Sequence, residues 1–254
     1  MWNQLRTDEY EGMLAETITV PKGDSTVRSY MSRPLGTGPY PGVIIIPHMP
    51  GWDELNREVA RRLSQHGYIA MSPNIFEEFG HGLPGEVSAR AREAGGVTDS
   101  SVMATCQATL DYLVSLPYSN GKVWIIGMCS GGRHAFLAGC TITGLSAVVD
   151  CWGGRVVVAE DQLTPSNPVA PISLTSQLSA PLLGLFGNDD RFPSPEEVDL
   201  HEEELKKHNK EYEFHRYDDA AHAFWSYDRE AYRPVQAMDA WEKVFAFYGK
   251  HLSV

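Results

Sequence analysis

Lys122-Val123-Trp124-Ile125-Ile126-Gly127-Met128-Cys129-Ser130-Gly131-Gly132 reads as a buried strand that breaks abruptly into a helix running from 130 to about 138. Glycines two residues either side of Cys129 leave room for a turn too tight for side chains. Such a turn strains the backbone of its central residue and pushes that side chain out of the sheet. This is the context of a nucleophile elbow, with Cys129 as the nucleophile. The unpaired N–H groups and positive dipole end of the following helix favour a thiolate and an oxyanion beside it, which makes the Ser130 N–H one oxyanion donor. The competing reading, in which Ser130 or nothing is catalytic, is a small buried cysteine with no chemistry. Cys106, Cys140 and Cys151 lack the glycine frame and are read in that way.

On either side of the elbow, strands alternate with helices. Upstream, the β-branched run 42–47 has no polar face and belongs in the sheet centre. It is followed by an amphipathic helix over 53–67, a strand over 68–72 and a helix over 99–116. Downstream come strands at 145–151, 181–186 and 212–217, a helix over 195–208, and a closing helix from about 234 to 252. Residues 14–20 and 27–33 alternate apolar and polar around Lys22-Gly23-Asp24, which predicts an opening antiparallel hairpin. The whole pattern predicts an α/β fold in one domain over 1–254: a mostly parallel central sheet with right-handed crossovers and helices on both faces. Two irregular interruptions, 76–97 and 153–180, are candidate cap or pocket walls, the alternative being surface decoration.

The formal net charge of -12 opposes binding to nucleic acid or to anionic lipid. The stretch from Met1 to Glu9 has neither the basic start nor the apolar run of a secretory signal, and no stretch is apolar enough for a membrane span. A cytoplasmic protein is expected. Its four cysteines show no zinc spacing and too low a density for a disulfide scaffold, so reduced thiols and no metal are expected.

A cysteine nucleophile needs a base to take its proton and a carboxylate to orient that base, in chain order nucleophile, acid, histidine. The apolar run 182–186 ends in Gly187-Asn188-Asp189-Asp190 and delivers a carboxylate to the elbow's edge of the sheet. Register favours Asp190 over Asp189. Either aspartate could instead cap the helix that starts near 194, and Asp150 is a weaker rival acid. His222, in Asp219-Ala220-Ala221-His222-Ala223-Phe224, follows the last strand and is the candidate base. The loop after the central strand, His48-Met49-Pro50-Gly51, should supply the second oxyanion donor; because Pro50 has no N–H, the Met49 N–H is the choice. Trp52, Trp152 and Trp225 lie near strand ends, where they could line a pocket or simply fill the core.

Together these motifs resemble the dienelactone hydrolase family over nearly the whole chain, from about Glu16 to Leu252. The Gly-x-Cys-x-Gly-Gly, Gly-x-x-Asp and Ala-x-His-x-Phe motifs fall on Cys129, Asp190 and His222. The resemblance implies an α/β-hydrolase fold and a Cys-His-Asp triad. It also implies hydrolysis of a lactone or small ester without metal or organic cofactor. A monomer or homodimer is expected. The sequence departs from the pattern at two places. His48 stands where the family often has a glutamate that gates the thiol, and is expected either to favour the thiolate or to pack or contact substrate. Ser226 stands where the best-known members carry a substrate-binding arginine; Arg90 and Arg92 could take over that anion, or belong to a solvated helical face. The other functional readings are a non-catalytic binding relative and an acyltransferase or C–C hydrolase using the same residues.

Overall fold

The computed structural model describes residues 12–251, so the segment Met1 to Glu9 and Leu252, the expected end of the closing helix, lie outside the described residues. Eight strands form one sheet in the order β1-β2-β4-β3-β5-β6-β7-β8. β1 (Met13–Lys22) and β2 (Ser25–Pro34) make the expected antiparallel hairpin. β3 (Tyr40–Ile46), β4 (Ile69–Pro73), β5 (Ser119–Met128), β6 (Leu145–Cys151), β7 (Leu182–Gly187) and β8 (Tyr212–Tyr217) are all parallel to one another. One pairing was not foreseen: β2 also runs antiparallel to β4, so the hairpin joins the sheet through its second strand.

Every residue of β3, β4 and β7 is buried. Alternate side chains of a strand point to opposite faces, so complete burial requires cover on both. That cover comes from α1 (Glu54–Gln65), α3 (Asp99–Ser115), α4 (Ser130–Thr141), α5 (Pro195–Lys207) and α6 (Pro234–His251). Asp53 caps α1 by accepting the Asn56 N–H, and Ser194 with Glu197 forms a capping box on α5. The first interruption contains a further helix, α2 (Pro84–Glu93), and the second contains only 3-10 turns, at Glu160–Gln162 and Pro171–Gln177. Among the described residues no helix is long and apolar enough to cross a membrane.

The parallel strands place the residues after β3, β5, β6, β7 and β8 along one edge of the sheet, the edge where ligands meet folds of this kind.

Candidate active site

Cys129 sits between β5 and α4 with φ 54 and ψ -123, a left-handed conformation that costs of order 1–3 kcal/mol for a residue with a side chain and recurs at functional sites. Trp152 and Ala223, beside the same edge, also have positive φ, at 44 and 63. The glycine frame has a direct steric cause. A methyl group on Gly127 would overlap the Gly131 carbonyl, and one on Gly131 would overlap the Ile46 carbonyl at the end of β3. The first turn of α4 therefore rests on the end of β3, and Met49 from the loop after β3 lines the same cavity as Ser130. Cys129 is partly exposed whereas the other cysteines are buried. Burial pushes the Cys106 and Cys140 thiols up to about 12 and raises Cys151 as well, which leaves them poor nucleophiles.

His222 Nδ1 lies 2.8 Å from Asp190 Oδ2. Burial on its own would lower the imidazole, but hydrogen bonds to Asp190 and to the Cys129 sulfur outweigh it and push His222 up to about 10. The other Asp190 oxygen accepts the Phe192 N–H at 2.9 Å. Asp190 is buried, whereas Asp189 is exposed at the cavity and uses its N–H to hold the Ala220 carbonyl, at 2.9 Å, tying the turn of Asp190 to the loop of His222. Neither aspartate caps α5, a role that Ser194 fills. Asp150 is fully buried, accepts the Gly153 N–H at 2.7 Å and is pushed by burial up to about 7. It supports the elbow from behind.

Cys129, Ser130, Met49 and His222 open onto a cavity of about 650 Å³ whose wall is mostly apolar. Arg133, His134 and Asn167 join its lining, and all of them donate to the carboxylate of Asp99 at the start of α3. Burial opposes ionisation of Asp99, yet the hydrogen bonds from His134 and Arg133 and the arginine's charge hold it down at about 2. Arg155, Arg191 and Phe192 complete the mouth. Neither Arg155 nor Arg191 belongs to an ion pair among the described residues; Arg155 donates to the Gln162 carbonyl at 2.8 Å. Arg133 could have been found from sequence, since four residues past Cys129 on a helix is one turn, on the same side; His134, one residue further, falls off that face and carries no such signal.

Several expected pocket residues lie elsewhere. His48 is buried with Nε2 at 2.7 Å from Asp53 Oδ2 and does not line the cavity, so the expected influence on the thiol has no contact behind it. Trp52 donates its indole N–H to the Ser72 carbonyl and lines a separate cavity of about 210 Å³. Trp152 is buried edge-on to the His222 ring, and Trp225 stacks on Trp241 at 4.6 Å, so both are packing. Arg90 holds the Phe79 and His81 carbonyls, and Arg92 holds Ser88; neither reaches the cavity wall. Arginine placement depends on where long flexible side chains find acceptors, which spacing along the chain does not encode.

The model of the dienelactone hydrolase family matches residues 27–252. The chain belongs to the dienelactone hydrolase family. A Methylorubrum extorquens protein, provisionally named a carboxymethylenebutenolidase, is 30% identical over 248 residues, covering 94% of this chain and 82% of that protein. A Bradyrhizobium protein, provisionally named a 2-oxo-3-(5-oxofuran-2-ylidene)propanoate lactonase, is 27% identical over 252 residues, covering 94% of this chain and 98% of the relative. The crystal structure of a Klebsiella pneumoniae subsp. pneumoniae protein, provisionally titled a dienelactone hydrolase, superposes with a TM-score of 0.85 at 26% identity, covering 94% of this chain and 99% of that one. As a member of the dienelactone hydrolase family, the chain has the α/β-hydrolase fold and belongs among hydrolases. Among the described residues no cluster of His, Cys, Asp and Glu could hold a metal ion.

Proposed function

We propose that this dienelactone hydrolase family member opens a lactone or cleaves a small carboxylic ester through a thioester on Cys129. The observation that carries the reading is a set of groups in one cavity: Asp190 holds His222 at 2.8 Å, and His222 shares the cavity with the elbow's Cys129, whose sulfur helps to raise the imidazole. In the proposed cycle the Cys129 thiolate, paired with imidazolium at His222, adds to the carbonyl carbon. The resulting oxyanion accepts from the Met49 and Ser130 N–H groups. Its collapse breaks the C–O bond, and the leaving alkoxide takes the His222 proton. Neutral His222 then removes a proton from water, the hydroxide adds to the thioester, and collapse expels the thiolate and releases the acid. Asp190 stays ionised throughout and keeps Nδ1 protonated.

The apolar wall suits the carbon skeleton of an acyl or ring group, and Arg155 and Arg191 at the mouth suit an acyl group that carries a carboxylate. The provisional lactonase name of the Bradyrhizobium relative supports a lactone. Turnover of a short p-nitrophenyl ester by the full chain tests the chemistry. It is expected to vanish in Cys129→Ala and persist in Cys106→Ala. Equal activity in the two variants would refute it.

A further inference from the structure

Met49 lies in a turn whose other hydrogen bonds are all accounted for, and the helix in the first long interruption supplies the decisive one. The Gly51 N–H donates to the His48 carbonyl at 3.0 Å, closing the turn and pinning the His48–Met49 peptide plane. In a trans peptide the N–H points opposite to the carbonyl, so this bond turns the Met49 N–H away from the turn's interior. The next plane, Met49–Pro50, has no N–H because Pro50 is an imino acid. Its one polar group is the Met49 carbonyl, which accepts the hydroxyl of Ser88 on α2 at 2.5 Å. Arg92, one turn further along α2, donates to the same Ser88 oxygen at 2.6 Å. A guanidinium can only donate and a carbonyl can only accept, so the hydroxyl proton is committed to Met49. The far side of the turn is fastened by the Asn56 amide on the Gly51 carbonyl at 3.2 Å and by Pro84, whose carbonyl would lie 2.7 Å from any side chain placed on Gly51.

We infer that Ser88, with its proton directed by Arg92, is a positioning residue that sets the Met49 peptide so that its N–H faces the developing oxyanion. The Gly51–His48 bond fixes the plane before the Met49 Cα and the relay fixes the plane after it, and an oxyanion donor is effective only when it is aimed before the charge develops. Without the Ser88 hydroxyl the Met49–Pro50 plane is free to rock about the Met49 Cα; that moves Pro50 and Gly51, whose N–H pins the His48–Met49 plane, and the donor loses aim without being removed. The inference rests on the proposed role of the Met49 N–H.

Removal of a whole oxyanion donor costs roughly a hundred- to a thousandfold in kcat, so a donor that is present but loose should cost about tenfold. The experiment measures kcat and KM for a p-nitrophenyl ester, together with the rate of Cys129 alkylation by iodoacetamide, which needs no oxyanion hole. Ser88→Ala is expected to lower kcat about tenfold, with KM and the alkylation rate near those of the parent. Arg92→Ala should lower kcat in the same direction by a smaller factor. The double variant should be no worse than Ser88→Ala, because both act through one bond. Parental kcat in both single variants, with Cys129→Ala inactive, overturns the inference and leaves the hydrolase reading standing. Loss of alkylation in step with kcat also overturns it, since that marks a general disturbance of the site. Should Ser88→Ala not fold, the exposed Arg92 decides alone, by the same two readouts. Activity retained in Cys129→Ala would instead strike the proposed function itself.

Discussion

The Asp190 carboxylate stands between two partners from its own neighbourhood: His222 Nδ1 at 2.8 Å on one oxygen and the Phe192 amide at 2.9 Å on the other. The acid is thereby aimed by its own turn. Asp190→Asn keeps the shape but removes the charge that holds the imidazole proton, and a loss of about ten thousandfold in kcat is expected from the wrong tautomer. Steady-state kinetics of the ester reaction checks it, and a loss under tenfold would rule out the orienting role.

The same contact predicts a pH dependence of stability. His222 is raised from its ordinary value to about 10 in the folded chain, so its contribution is complete below about pH 6.5 and fades as pH climbs through about 10. The folded state binds a proton there that the unfolded chain has released, which makes the slope negative. Urea midpoints measured from pH 6 to 10 should fall in the parent and fall less steeply in Asp190→Asn.

Asp99 predicts the opposite sign at the acid end. It is held down at about 2, so its contribution is present above about pH 4 and lost as pH drops through about 2. Asp99→Ala strands the buried Arg133 charge and should cost about 3–5 kcal/mol in a urea titration at neutral pH. Arg133 and Asn167 would also lose their common anchor, so the cavity floor should loosen and KM should rise.

Arg191→Ala should raise KM for a carboxylate-bearing lactone about tenfold, the usual scale for one hydrogen bond to a charged group, and leave a neutral ester unaffected. Equal changes for both substrates would remove Arg191 from substrate recognition.

Gly131→Ala tests the seat of the elbow. The added methyl meets the Ile46 carbonyl, backbone that has no room to yield, and a destabilisation of about 1–3 kcal/mol is expected by denaturation.

The sheet was legible because its signals are local: β-branched runs, helical spacing and a glycine-framed cysteine each fall within a dozen residues. The choice of Asp190 over Asp189 came from strand register, which is local too. Long-range pairing was less legible. Nothing in 25–34 announces that β2 also borders β4. The pocket was the least legible part. Trp52, Trp152 and Trp225 lie near strand ends as expected, but each indole turned to packing partners brought by distant segments. Arg90 and Arg92 found carbonyl and hydroxyl acceptors on or near their own helix, whereas the arginines that do line the cavity sit on α4, follow the acid or lie in the second interruption.

Phe192 lines the mouth with its ring and steadies Asp190 with its amide. On the proposed mechanism, substrate choice and proton handling share a single bend of chain. A lineage adapting to a bulkier acyl group by reshaping that bend would disturb the carboxylate at the same stroke. Residues 153–180 meet the cavity through Gly154, Arg155 and Asn167, none of which hydrogen-bonds Asp190 or His222 among the described residues, and directed evolution of substrate range should accumulate its changes at Arg155 and Asn167.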